Sequence, residues 1–319
     1  MLTAIVLSGS SLCIIGNLNR DLKPAALPAG DYLFADGETS VASVSETVGG
    51  GGANSAFAAA ALGARVAFLG KVGADALGDR LERTLVRHGI TARLARDPTQ
   101  PTGTSIALTF TNGHRHFVSS LPNSESLAFD ELDLAVLPQF RHLLRADIWF
   151  SEPMLYGGNQ RLFHAARAAG LAVSIDLNWD PRWGRAGAAE IARRKEAVRA
   201  VLPLVTLAHG NVRELTEFTD AADLDTALRR LTGWGVEAVV VHLGERGAGY
   251  FCRGSLVVEP PATAKTRVNT TGTGDVLSVC MMLLHSQPAV PIPERLRLAN
   301  QIVAEFIEGK RGLIPGIEA

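Results

Sequence analysis

Asn269, Thr270, Thr271, Gly272, Thr273, Gly274 and Asp275 run straight into the apolar stretch Val276–Leu284. Two glycines set two apart, between hydroxyl residues and a carboxylate, let several backbone N–H groups converge at the mouth of a helix, where the dipole and unpaired donors attract an anion. A phosphate suits such a cradle. The Asp275 carboxylate would repel that phosphate unless it faced another atom, such as a hydroxyl about to attack it. Anion cradle plus base predicts phosphoryl transfer. A bland role exists as well, since an acidic residue in a first helical turn stabilises the helix by ~0.3–1 kcal/mol.

Further groups carry the same double reading. Gly49-Gly50-Gly51-Gly52-Ala53-Asn54 leads into a helix but lacks Gly-x-Gly-x-x-Gly, and no Gly-x-x-x-x-Gly-Lys-Ser/Thr occurs. It is either a tight strand-to-helix turn or a place where backbone approaches a ligand closely, with Asn54 offering a donor and an acceptor to a hydroxyl. Asn19 and Asp21, two apart, share one face in extended chain, which suits a polyhydroxylated ligand or equally an Asx turn. Asn211 and Glu214 have capping-box spacing, or hold water around a magnesium ion near phosphates. Gly244-Glu245-Arg246-Gly247 is a turn, with or without a nucleotide against it.

The elements that must position these groups follow from hydrophobic patterning. Leu12–Ile15 reads as a buried first strand, Asn54–Leu62 as a helix closed by Gly63, and Val66–Leu69 as a strand. Asp75 caps a helix that Gly89 ends. Apolar runs Ile148–Phe150, Leu171–Ile175, Leu204–Leu207 and Val236–Val241 alternate with amphipathic stretches, the pattern of a parallel sheet with helices on both faces. Helices around Gly274–Leu284 and Pro293–Glu308 finish the chain. Asp36-Gly37 and Asn112-Gly113 each lie between strand-like runs and predict two type I′ hairpins, together a small separate sheet over a pocket.

Composition narrows the partners. The 319 residues carry 31 basic and 32 acidic side chains, and a net charge of −1 argues against a nucleic-acid partner or a membrane surface. With 47% hydrophobic residues and no linker-like segment, one domain over residues 1–319 is expected, its lid segments at about 18–48 and 102–120. Three widely spaced cysteines fit a reducing compartment, and neither a leader peptide nor a membrane span is read in the sequence, so a cytoplasmic location is expected.

Taken as a set from about Leu12 to Phe306, these residues resemble the PfkB, or ribokinase-like, carbohydrate kinase family. Gly49-Gly50 with Asn54, continued by Gly70-Lys71-Val72-Gly73-Ala74-Asp75 and Gly78, is similar to its first signature; Thr271–Asp275 is similar to its second. Asn211-Val212-Arg213-Glu214 resembles its Asn-x-x-Glu motif. The resemblance implies a three-layer α/β/α sandwich with a mostly parallel central sheet and a small β lid, with ATP as donor and Mg²⁺ as cofactor. It implies that Asp275 takes a proton from a sugar hydroxyl while backbone N–H groups of Gly272, Thr273 and Gly274 form the anion hole. Asn19, Asp21, Gly50 and Asn54 match sugar-binding positions, Gly244, Gly247 and Asn300 match nucleotide-pocket positions, and Asn211 with Glu214 is associated with phosphate and, through water, with magnesium. Asn269 stands where many relatives carry an aspartate tied to a monovalent-cation site, which leaves K⁺ activation open. Asp176–Arg182 partly matches an Asp-x-Asn-x-Arg motif of ketosugar-acid kinases, with Arg182 as its phosphate-binding candidate.

The expectation is therefore a kinase for a small neutral sugar, with a homodimer through the lid. Two alternatives stand beside it. One is a nucleoside or phosphosugar kinase of the same fold, for which His114, Arg115 and His116 could supply cationic groups; the other is a non-catalytic sugar or nucleotide sensor.

Overall fold

The computed structural model describes residues 9–267, 271–311 and 315–317. Asn269 and Thr270 lie outside them. Strand β1 (Ser11–Ile15) is buried along its length. Leu12 and Ile14 join one hydrophobic cluster, Cys13 and Ile15 another, so the strand is apolar on both faces, as a parallel strand covered on both sides must be. It pairs in parallel with β4 (Arg65–Gly73) on one side and β8 (His142–Arg145) on the other. Beyond β4 lies β5 (Thr91–Asp97); beyond β8 come β9 (Ala172–Asp176), β10 (Leu207–Asn211) and β11 (Ala238–His242), all parallel. Antiparallel β12 (Ala248–Cys252) and β13 (Ser255–Glu259) complete a nine-stranded sheet.

Helices cover both faces. The cluster containing Leu12 takes in buried residues of α1 (Gly51–Ala61) and α2 (Ala76–Arg87), where Asp75 caps α2 by accepting from Gly78 N–H. The opposite cluster takes in α3 (Asn159–Ala168), α4 (Ala188–Arg199), α5 (Val212–Thr219) and α6 (Leu224–Gly233). Helices α7 (Thr273–His285) and α8 (Ile292–Ile307) return to the first face. Successive strands run outward from β1 to β5 and, in the other direction, from β8 to β11. The carboxyl ends of β1 and β8 therefore flank the reversal of strand order, the crevice where open α/β sheets bind ligands.

A second sheet stands apart: β2 (Asn19–Pro24), β3 (Val44–Gly49), β6 (Thr104–Thr109) and β7 (Arg115–Ser120), in the order β3-β2-β6-β7. It is the expected small β lid, built differently in detail. Asp36-Gly37 makes no hairpin: Asp31–Phe34 is a short exposed 3-10 turn, neither Asp36 nor Gly37 has positive φ, and the pairing runs Asn19–Pro24 with Val44–Gly49. Asn112-Gly113 does lie in the β6–β7 turn, but only Gly113 has positive φ (86°), so the turn is not type I′, which needs both central residues there. Both conditions are met by Arg253 (φ 52°) and Gly254 (φ 78°) between β12 and β13.

Two strand placements also shift. Ile148–Phe150 is no strand; β8 ends at Arg145, and Asp147 at φ 52° turns the chain, with Phe150 N–H donating to the Asp147 carbonyl. Leu202–Leu204 is a 3-10 turn around Pro203, and the strand predicted at Leu204–Leu207 begins at Leu207. Among the described residues no helix is long and apolar enough to cross a membrane.

Candidate active site

The lid supplies one wall. On β2, Asn19 Nδ2 donates to Asp21 Oδ1 at 2.8 Å, and both side chains are buried. Gly49 is the register partner of Asn19, and a Cβ there would stand 1.9 Å from Asp21 Oδ1. Glycine at 49 is thus required by space, not by backbone angle. Burial pushes the Asp21 carboxyl up to about 6.

The floor comes from two helix starts. Gly50 (φ 99°) turns the chain into α1, its carbonyl accepts the Asn54 N–H, and Asn54 Nδ2 donates to Asp275 Oδ2 at 3.0 Å. Gly272 (φ 86°) precedes α7 with no side-chain cap, so the N–H groups of the first turn have no acceptor within the helix. Burial pushes the Asp275 carboxyl up to about 7, the charges of Asp147 and Glu214 push the same way, and the Asn54 bond opposes them. A carboxyl so poised suits a general base near neutral pH.

Asn19, Asp21, Gly50, Asn54, Arg115, Glu214, Gly272 and Asp275 all line one cleft of about 790 Å³. Asn211 and Glu214 form a reciprocal capping box, with bonds of 2.8 and 2.9 Å, so the structural reading of that pair is realised while the Glu214 carboxylate still lines the cleft. Burial raises the Glu214 carboxyl. Among the described residues no cluster of three or more carboxylate, histidine or cysteine ligands could enclose a metal. A single cleft carboxylate does fit Mg²⁺, which keeps several waters and takes few protein ligands.

Gly244, Gly247 and Asn300 lie outside the cleft lining, grouped past β11. A Cβ on Gly247 would stand 2.1 Å from the Glu259 carbonyl oxygen, and Asn300 Nδ2 donates to the Glu259 and Pro260 carbonyls at 3.1 and 2.8 Å. Asn300 thereby ties α8 to the end of β13, its amide donors engaged. A Cβ on Gly274 would lie 3.1 Å from His242 Nδ1, so the start of α7 packs closely on the end of β11. Thr273 and Asn211 likewise do not line the cleft, and Arg182 is exposed beside a neighbouring cavity.

Sequence reasoning missed Asp147, Phe150 and Trp183 as cleft residues, and it named Asp176 and Trp179 only within the Asp176–Arg182 run. Asp147 lines the cleft and accepts from Asn17, Gly51 and Gly52 N–H groups and from Asn178 Nδ2. Its left-handed backbone costs about 1 kcal/mol, less than for most residues because aspartate tolerates that region. Asp176, at the end of β9, is buried outside the cleft lining, and its carboxyl is raised by burial first and then by the charges of Asp275, Glu214 and Asp147. Phe150, Trp179 and Trp183 give the cleft an aromatic wall, Trp179 and Trp183 meeting edge to face at 4.8 Å. For Asp176 the available signal was an acidic residue directly after the apolar run Leu171–Ile175; Asp147 instead precedes the run Ile148–Phe150 read as a strand, and carries no such signal.

Residues 10–304 match the family described as pfkB family carbohydrate kinase. The chain is 27% identical over 288 residues to Probable fructokinase-4 of Arabidopsis thaliana, covering 84% of each chain. A chain from E. coli solved in complex with ATP and Mg²⁺ superposes with a TM-score of 0.79 at 19% identity, covering 94% of this chain and 93% of that one. Adenosine kinase from Sinorhizobium meliloti superposes with a TM-score of 0.77 at 19% identity, covering 94% of both. The chain belongs to the pfkB family of carbohydrate kinases and is an ATP-dependent phosphotransferase with an alcohol group as acceptor.

Proposed function

We propose that this enzyme transfers the γ-phosphate of ATP to a hydroxyl of a small neutral sugar, with Asp275 as base. The observation that carries the reading is the Asn54–Asp275 bond: the acceptor wall and the phosphate cradle meet at one carboxyl, pushed up to about 7. Asn19, Asp21, Gly50 and Asn54 would orient the sugar, with Arg115 reaching in from the lid. Asp275 would draw the proton from the attacking hydroxyl while the N–H groups of Gly272, Thr273 and Gly274 meet the charge on the transferring phosphoryl group. Gly244, Gly247, Asn211 and Asn300 would border the nucleotide, and Glu214 would hold Mg²⁺ through water. Bound Mg²⁺ neutralises phosphate charge. Asn269, where a K⁺ requirement would be decided, lies outside the described residues.

The test is an acceptor panel with MgATP: D-fructose, D-ribose, adenosine, cytidine and fructose 6-phosphate, read by mass of the product. A phosphorylated neutral sugar is expected, and Asp275→Asn should lower kcat by about 10²–10⁴-fold with the ATP KM little changed. Near-normal turnover by Asp275→Asn removes it as base. The aromatic wall of Phe150, Trp179 and Trp183 favours a nucleoside as the second reading, because a base stacks where a free sugar leaves flat surface uncovered. Turnover of adenosine or cytidine alone would select it. Turnover of the sugar phosphate alone, lost in Arg115→Ala, would select a phosphosugar kinase, and a panel that binds without product would select a sensor.

Two wider readings belong here. Strand β7 is an exposed edge with Phe117 and Val118 uncovered, which supports a homodimer through the lid, tested by sedimentation equilibrium. Cys13, Cys252 and Cys280 are free thiols, which supports a cytoplasmic location, tested by cell fractionation.

A further inference from the structure

We propose that Asp147 is a positioning residue for the acceptor side of phosphoryl transfer, holding the glycine turn at the start of α1 so that Asn54 is kept against Asp275. The proposal rests on Asp275 being the base.

Asp147 sits at the carboxyl end of β8, beside the reversal of strand order. Its Oδ2 accepts from Asn17 and Gly52 N–H groups, both at 2.8 Å, and its Oδ1 accepts from Gly51 N–H at 3.2 Å and Asn178 Nδ2 at 3.4 Å. One carboxylate thus gathers the chain just past β1, the chain just past β9 and the first turn of α1. Gly50, the cap position of α1, has no side chain, so Asp147 caps that helix from a distant part of the sequence.

The glycines fit this carboxylate. A Cβ on Gly51 would stand 2.8 Å from Asp147 Oδ1, and one on Gly16 would stand 2.9 Å from Oδ2 and 2.8 Å from the Gly52 Cα. Side chains at these positions would push the carboxylate off the backbone donors. Asn54 lies one turn into α1, tied to the Gly50 carbonyl at 2.9 Å, so whatever fixes the turn fixes the Asn54 amide. Asp147 itself is left-handed at φ 52°, so the chain turns just past the end of β8 where the carboxylate is delivered.

Two variants test this. Asp147→Gly removes the carboxylate and relaxes the left-handed backbone; Asp147→Asn keeps size and one carbonyl acceptor but loses the charge. Hydrogen–deuterium exchange in peptides covering residues 50–56 should speed by about tenfold in Asp147→Gly and less in Asp147→Asn, with residues 76–87 as an unchanged internal control. With MgATP and D-fructose, D-ribose or adenosine, whichever turns over, the acceptor KM should rise about tenfold while the ATP KM stays within about twofold, a split that general loosening of the fold would not give. Unchanged exchange at residues 50–56 in both variants, or acceptor KM and kcat within about twofold of the parent enzyme, overturns the proposal. If Asp147→Gly fails to fold, Asp147→Asn decides by the same readouts. Asp275→Asn, run alongside, separates the two ideas: its activity judges the base, while the exchange result judges Asp147.

Discussion

Arg115 Nη1 donates to the Thr271 hydroxyl at 2.8 Å, joining the outer strand of the lid to the run that opens helix α7. The two residues are 156 positions apart, and Thr271 precedes the Gly272 cap by one residue. Because β7 is exposed along its whole length, this bond spans the mouth of the cleft and not the core. An exposed contact of this kind contributes under ~1 kcal/mol to stability, so its consequence should be kinetic.

Arg115→Ala should therefore leave Tm nearly unchanged and loosen the lid. With the lid less often closed, water reaches the phosphoryl group, and the ratio of ADP formed to phosphorylated acceptor should rise above one. Acceptor KM should rise as well, by up to about tenfold. A ratio that stays at one with unchanged KM would mean that the Arg115–Thr271 bond does not govern closure.

Asp275 makes a prediction about stability with a definite sign. Its carboxyl is pushed from 3.8 to about 7, so between those pH values the folded protein keeps a proton that the unfolded chain has released. The stability this contributes is complete below the unfolded value and is lost as pH rises to about 7. Asp275→Asn, which cannot ionise, should match the parent near pH 4 and be more stable at pH 8, by an amount on the order of 1–4 kcal/mol. Thermal melts of the nucleotide-free proteins across that range check it; a Tm difference independent of pH would contradict the ionisation as its cause.

The layers of the fold were legible because β1 and the runs like it are apolar on both faces, a pattern that burial on both sides imposes directly on sequence. The hairpin at Asp36-Gly37 misled because a turn dipeptide needs partners as well as angles, and β2 finds its partner past a long excursion, at Val44–Gly49. Asn19, Asp21 and Asn54 could be named because amide and carboxylate groups near glycine turns stand out locally. Asp147 could not: its role depends on Asn17, Gly51 and Asn178, brought to it only by the reversal of strand order. Asn300, placed at the nucleotide pocket by resemblance, also holds two carbonyls of the chain itself, a tie that nothing in the local sequence announces.

Gly49 offers a test of the lid wall that leaves the chemistry untouched. A methyl at this position would meet Asp21 Oδ1 at 1.9 Å and Asn19 Nδ2 at 2.6 Å, so Gly49→Ala must displace the paired side chains. The fold should survive, since Gly49 has no positive φ and the lid strands are short. Acceptor KM should rise about tenfold or more with kcat for the remaining turnover less affected, and ATP affinity should not change. An unaltered acceptor KM would place the acceptor away from Asn19 and Asp21.

His209 on β10 is fully buried, and among the described residues neither of its ring nitrogens has a hydrogen-bond partner. Burial keeps the ring neutral, holding its pKa well below 6.5, and nearby His242, His142 and His285 act in the same direction. The unfolded chain takes up a proton as pH falls through about 6.5 and the folded protein does not, so stability is lost on the acid side. Leu207, two residues earlier on the same strand face, already belongs to the apolar cluster there. His209→Leu should fit that setting, remove two unsatisfied polar atoms and raise stability by about 1–3 kcal/mol at pH 7.5, with a larger gain at pH 5. Denaturant midpoints at the two pH values measure both parts, and a variant less stable at each would show that the ring supplies packing that leucine cannot replace.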